Sequence, residues 1–201
     1  SGTFQDIDVP PMLMAFGITT VDAAKVISTD FKRPGNRIYL VRHTPCENFM
    51  PDTEQLKRNF AFVSEQIEAG RIVAAWSVGF GGVAEGIAKM AFGNEVGACI
   101  TMDEERLYAY AYGSILVEAT GELEFPDAEF LGQTIEDAAL SINGVRLPLD
   151  ELYRANTERF AVIYPDKSDN RAVMMTGEPR TDAVEYPGSA VEHPVVFLPV
   201  F

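Results

Sequence analysis

The sequence predicts an α+β fold, with a mixed, mostly antiparallel sheet covered by helices. Three observations carry that prediction. Apolar runs of strand length recur along the chain, and several lie close enough together to pair antiparallel. Two segments, 52–70 and 82–93, keep a helical spacing of apolar residues. Helices and strands alternate irregularly, without internal repeats, which favours helices layered on a sheet over a regular parallel βαβ series.

Each element can be justified in order. Residues 9–18 read as a strand containing a double proline, Pro10-Pro11. Thr19 or Thr20 then caps a short helix running through Val26 and Ile27. Residues 37–43 alternate and predict a second strand. In the long helix that follows, Asp52 with Gln55 resembles a capping box. Leu56, Phe60, Val63 and Ile67 fall on one predicted face, and Gly70 closes the helix as its C′ residue. A strand at 71–75, a glycine-dense turn and a helix at 82–92 come next, the helix presenting Val83, Ile87 and Met90 and stopping at Gly93. Residues 96–101 predict a strand, 103–111 a short helix, and 113–118 and 128–135 two further strands. Residues 143–148 are ambiguous, and Leu149 to Phe160 reads as a helix. From about Asp166 to Glu192 apolar periodicity fades into a linker-like stretch. An apolar run, Val195–Phe201, ends the sequence. It reads equally as the first strand of a further domain or as a strand docked on the main sheet.

The turn at 76–82 (Trp-Ser-Val-Gly-Phe-Gly-Gly) is the candidate binding feature. A strand, a bare-backbone loop and a helix N-terminus in sequence can make an anion cradle, because glycines admit a phosphate and the first helical N–H groups lack internal partners. Ser77, Gly79, Gly81 and Gly82 are the predicted cofactor-binding residues. The turn lacks the Lys-Ser/Thr of a Walker loop and is no dinucleotide fingerprint. Close packing of strand against helix explains the same glycines, and loop-like glycine runs of this kind occur at many non-functional turns.

Composition narrows the function. The 201 residues suffice for one good-sized domain. The net charge of −14 disfavours nucleic acid and anionic membranes, so any nucleotide would be held through backbone amides or Mg²⁺. No apolar run reaches the length of a membrane span, and no signal peptide is visible. Ser1-Gly2 reads as a tag-cleavage remnant. Cys46 and Cys99 lie in no metal spacing and predict buried thiols in a reducing, cytoplasmic compartment. His43 is the base that a nucleophilic Cys46 would need, but Pro45 between them predicts a loop in which the pair need not face each other. No catalytic residue and no metal ligand is predicted.

Residues 71–101 resemble the C-terminal domain of the aminoimidazole ribonucleotide synthetase superfamily, in the form found in phosphoribosylformylglycinamidine synthase. Lys89-Met90-Ala91-Phe92 is similar to that family's helix ending, Tyr112 to Glu118 to its next strand, and Leu131-Gly132-Gln133-Thr134 to a later one. The resemblance spans roughly residues 9–160. It implies three parts: a synthetase C-terminal-like domain at 3–163, a linker at 164–194, and at 195–201 the truncated first strand of a glutaminase domain. It also implies the ATP- and glutamine-dependent amidation of formylglycinamide ribonucleotide in purine biosynthesis, with ATP and Mg²⁺ bound elsewhere in the parent enzyme. The partners implied are an N-terminal synthetase domain and a glutaminase domain, and a weak strand-mediated homodimer stays open. The family's turn commonly reads His-Asp-x-Ser-Asp-Gly-Gly. Here Trp76, Ser77, Gly79 and Phe80 replace its ionisable or hydroxyl residues, and only Gly81 and Gly82 remain. Without the acids, metal-assisted chemistry at the turn loses its ligands. The piece is therefore expected to be structural and inactive alone, binding no cofactor tightly. The alternative is a nucleotide- or phosphate-binding module at Gly79–Gly82.

Overall fold

The computed structural model describes residues 16–159 and 161, together with the backbone of two short strands, β1 (Gly2–Phe4) and β2 (Ile7–Val9). They fall in one compact unit of the chain, Ser1–Tyr164. The expectations for 164–194 and 195–201 lie outside the described residues.

Seven strands form the main sheet: β3 (Arg37–Val41), β4 (Ile72–Ser77), β5 (Gly97–Ile100), β6 (Ile115–Ala119), β7 (Ala128–Ile135), β8 (Ala139–Ile142) and β9 (Val145–Pro148). Their order is β4-β6-β3-β7-β5-β8-β9. Only β5 and β8 run parallel, and the other neighbours pair antiparallel. The helices are α1 (Thr53–Glu68), α2 (Gly82–Phe92), α3 (Glu104–Tyr108) and α4 (Leu149–Glu158). The predicted α+β class with a mixed, mostly antiparallel sheet is the observed one.

Strand alternation builds two cores, one on each face of the sheet. Ile38 and Leu40 of β3 join Val83, Ile87 and Met90 of α2 in the larger core. Tyr39 and Val41 of the same strand face the smaller one, where Val63 of α1 packs with Val117 and Ala119 of β6. Glu118 of β6 is fully buried. Its carboxylate accepts hydrogen bonds from Lys32 N at 2.7 Å and Asn36 Nδ2 at 2.7 Å, tying the 31–36 loop to the sheet centre and satisfying a group that burial alone would penalise.

Several sequence expectations need correction. The strand expected at 9–18 does not extend through Phe16–Ile18, which have no regular structure and are exposed. The short helix is a 3₁₀ turn at Ala23–Lys25 capped by Asp22, because Asp22 supplies the side-chain acceptor for Ala24 N–H. The helix expected at 103–111 stops at Tyr108, and Ala109 is already extended. The ambiguous 143–148 resolves into a hairpin. Asn143 and Gly144 both have positive φ, as the two-residue turn between β8 and β9 requires.

Helix α1 has the expected limits but a different buried face. Asp52 caps it, accepting from Glu54 N and Gln55 N. Arg71 N–H bonds to Gln66 C=O and Gly70 N–H to Ile67 C=O, the paired closure expected around a left-handed C′ glycine. The capping box is not formed. Gln55 turns away from the helix start, accepting from Thr44 N at 2.8 Å and donating to Asp127 Oδ1 at 2.9 Å. The buried stripe is Gln55, Asn59, Val63 and Gln66, while Phe60 is 49% exposed. The helix is rotated because its inner face must reach the backbone of β3's end, where Asn59 Nδ2 donates to Arg42 C=O at 2.9 Å.

Candidate functional site

The glycine turn is built by the end of β4 and the start of α2. Ser77, the last residue of β4, is exposed and stands opposite Ile115 of β6. Val78 is buried, and its N–H bonds to Ser114 C=O at 3.0 Å. The chain then reverses, with Gly82 N–H reaching Gly79 C=O at 3.2 Å. Gly82 has φ +68°, and a Cβ there would stand 2.8 Å from the Leu107 carbonyl oxygen. Glycine is required at this position by backbone conformation and by close approach to α3.

The amide at the centre of this turn has a partner from within the chain. Gly81 N–H donates to Glu85 Oε2 at 2.9 Å, so a carboxylate one helical turn downstream reaches back to the N-terminus of α2. The other oxygen, Oε1, accepts from Lys89 Nζ at 2.6 Å, and that ammonium lies 5.7 Å from the Trp76 ring centroid. Lys89, then the Gly81 amide, hold the Glu85 carboxyl below the usual carboxylate range against an opposing effect of burial. The turn thus has the chemistry of an anion seat, and the anion it faces is its own side chain. Trp76 sits where the resembled family has histidine. Its Nε1 is buried with no hydrogen-bond partner among the described residues.

Of the predicted binding residues, Gly81 is engaged with Glu85, Gly82 forms the helix junction, Gly79 accepts within the turn, and Ser77 borders it. Among the described residues no cluster of three or more metal-ligating side chains occurs, and no helix is long and apolar enough to cross a membrane.

Cys46 and Cys99 are both exposed, which corrects the expectation of buried thiols. Cys99 alternates outward on β5, and Cys46 sits in the loop after β3. His43 is buried and does not serve Cys46. Asp52 N–H donates to its Nε2 at 3.1 Å, which leaves Nδ1 to donate to Tyr112 C=O at 2.9 Å. The ring is a strut joining β3, α1 and the loop before β6.

Sequence reasoning missed the aromatic surface beside this strut. His43, Pro45, Phe49, Leu56, Tyr110 and Tyr112 are among the residues lining an open cleft of about 600 Å³. Phe80 of the glycine turn lies 5.3 Å from Tyr110, which stacks 6.0 Å from Tyr112. The signal was present as the alternation Tyr108-Ala109-Tyr110-Ala111-Tyr112. That is an extended pattern, read as the tail of a helix.

With the geometry in view, the fold can be compared with solved structures. PurLQS from Thermotoga maritima superposes with a TM-score of 0.56 at 17% identity, over 88% of this chain and 32% of that one. Phosphoribosylformylglycinamidine synthase II from the same organism gives 0.55 at 15% identity, over 85% and 31%. T. maritima PurL complexed with ATP gives 0.54 at 14% identity, over 88% and 32%. The chain shares its fold with PurL. It spans about a third of the length of those structures. Neither a protein-family model nor a curated protein matches the sequence.

Proposed function

We propose that this chain is a synthetase-type domain of a phosphoribosylformylglycinamidine synthase, the cytoplasmic enzyme that uses ATP and glutamine to amidate formylglycinamide ribonucleotide. Its own part is structural. It completes the pair of synthetase halves and adjoins the glutaminase. The fold shared with PurL supports the assignment to this type of domain. The observation that carries the structural role is the contact between Gly81 N–H and Glu85, braced by Lys89. A phosphate entering the turn would have to displace a carboxylate already hydrogen-bonded and ion-paired there, and the turn offers Mg²⁺ no second carboxylate. The residues do not fit a magnesium–nucleotide complex, and no catalytic step is assigned to them.

Thermal denaturation with ATP or ADP plus Mg²⁺ tests this role. The expected result is an unchanged melting temperature and no ATP consumption by the isolated chain. Saturation at a hundred times a dissociation constant would stabilise the fold by about 2.7 kcal/mol, and a shift of that size would overturn the structural role. An open reading frame lacking any amidotransferase portion would overturn the assignment to the enzyme.

One observation favours the second reading, a phosphate-binding module at Ser77, Gly79, Gly81 and Gly82: the turn already accommodates an anion. On that reading Glu85 is a displaceable gate. Glu85→Ala would then create phosphate binding detectable by calorimetry, whereas the structural role expects none.

A further inference from the structure

The turn between β8 and β9 carries the single Asn-Gly pair of the sequence, Asn143-Gly144. Both residues are exposed. In such a pair the backbone nitrogen of the glycine can attack the side-chain amide before it, because glycine has no Cβ to hinder the approach. A Cβ at Gly144 would meet nothing within 4 Å, so the turn is open to water.

The Asn143 amide is held away from that nitrogen. Its Oδ1 accepts from Met102 N–H at 3.0 Å, and its Nδ2 donates to Met102 C=O at 2.8 Å. The side chain stands in for a strand backbone, bonding both polar groups of one residue. The Asn143 N–H also donates to Ile100 C=O at 3.1 Å, which fixes the turn against the end of β5. Bringing Cγ onto the Gly144 nitrogen means turning the side chain away from Met102 and breaking both of its bonds. Those bonds last only as long as the hairpin does. β9 is an outer strand of the sheet, and its neighbour there is β8. Outer elements with few partners open more readily than the molecule as a whole.

We propose that Asn143 is a self-modifying site gated by this hairpin. With the hairpin closed, the Met102 backbone keeps the amide unreactive. With it open, the Gly144 nitrogen attacks Asn143 Cγ. The N–Cγ bond forms, the Cγ–Nδ2 bond breaks, and Nδ2 leaves as ammonia carrying the proton from Gly144 N–H. The product is a succinimide. Water adds to one of its two carbonyls and opens the ring to aspartate or isoaspartate, so one water is consumed for each ammonia released. A carboxylate can still accept from Met102 N–H, but it cannot donate to Met102 C=O. Met102 adjoins Asp103, the N-cap of α3, so the lost bond falls on the residue that leads into that helix.

The test incubates the whole chain at mildly alkaline pH, folded or in urea, and reads conversion at Asn143 by peptide mass spectrometry. Conversion should be slower in the folded chain by roughly tenfold or more, as two ordinary hydrogen bonds must open first. Equal rates, or no conversion in urea, would overturn the proposal. Urea below the unfolding midpoint should already speed conversion while the fluorescence of Trp76 stays unchanged. Trp76 is the one tryptophan of the chain and lies on β4, at the opposite edge of the sheet. Conversion that rises only with the fluorescence transition would overturn the hairpin as the gate. Asn143→Asp should lower the melting temperature by about 2–4 °C, the shift that one lost bond of ordinary strength produces in a chain of this size. An unchanged melting temperature would overturn the loss assigned to the modified site.

Discussion

Helices α1 and α2 cover opposite faces of the same sheet, and they do so by different means. α2 buries an apolar stripe, Val83, Ile87 and Met90, against Leu40 and Leu116 in the larger core. α1 buries Gln55, Asn59 and Gln66 alongside Val63, and its inner face works through hydrogen bonds to Arg42 C=O, Thr44 N and Asp127. The first helix is placed by area removed from water, which is non-directional. The second is placed by directional bonds, each of which fixes a position. Periodicity finds the first kind of face and misplaces the second. This explains why Phe60, on the predicted apolar face, is exposed, while Ile67 of the same face packs against the smaller core.

Substitutions at three positions break or sharpen that contrast. The largest effect is expected on α2. Met90 is fully buried, and Met90→Ala should cost about 2–5 kcal/mol by removing apolar volume and leaving a cavity, measured as a lower urea midpoint with unchanged slope. A loss under about 1 kcal/mol would mean that the α2 face is loosely packed.

On α1, Asn59 is fully buried, donates to Arg42 C=O, and has an Oδ1 without a partner among the described residues. Asn59→Ala should cost about 1–3 kcal/mol for the lost hydrogen bond and the emptied space, although Gln55 Nε2 at 3.3 Å still donates to the Arg42 carbonyl. Asn59→Leu, of similar volume, should not restore stability. If leucine stabilised the fold, the face would be apolar in character after all.

The smallest effect is expected at the start of α2. Glu85→Gln keeps the shape but removes the charge facing Lys89 and the Gly81 amide, and should cost about 1 kcal/mol at neutral pH. The folded carboxyl is held below its unfolded value, so this stabilisation is present above about pH 4.5. It is lost as pH falls through the lower folded value. Urea titrations of the two proteins should therefore differ at pH 7 and converge in acid. A constant difference across that range would show that the ion pair contributes nothing.

Legibility in the sequence followed the same division. The 52–70 helix was readable because Asp52 and Gly70 cap it locally, and the glycine turn because strand, loop and helix follow one another in sequence. Strand β8 was not found. Four residues, Ala139–Ile142, carry too little pattern, although Asn143-Gly144 after them signals a hairpin. The glycine pattern showed a place where an anion could sit. It did not show that Glu85, four residues beyond Gly81, fills the position, because that depends on which way a side chain turns. His43 was read beside Cys46, its neighbour in sequence. Its partners are the Asp52 amide and the Tyr112 carbonyl, the latter 69 residues away.

The sequence by itself determined the class of fold, the placing of α1 and α2 along the chain, and the presence of a bare turn between β4 and α2. Each of those depends on spacing, caps and backbone permissiveness within a few residues. Tertiary structure alone decided which face α1 buries, the parallel pairing of β5 with β8, the carboxylate seated on the turn, and the meeting of Phe49 with Tyr110 and Tyr112 around one cleft. Those outcomes rest on contacts between segments far apart in sequence, where the geometry of the sheet, and not any local preference, selects the partner.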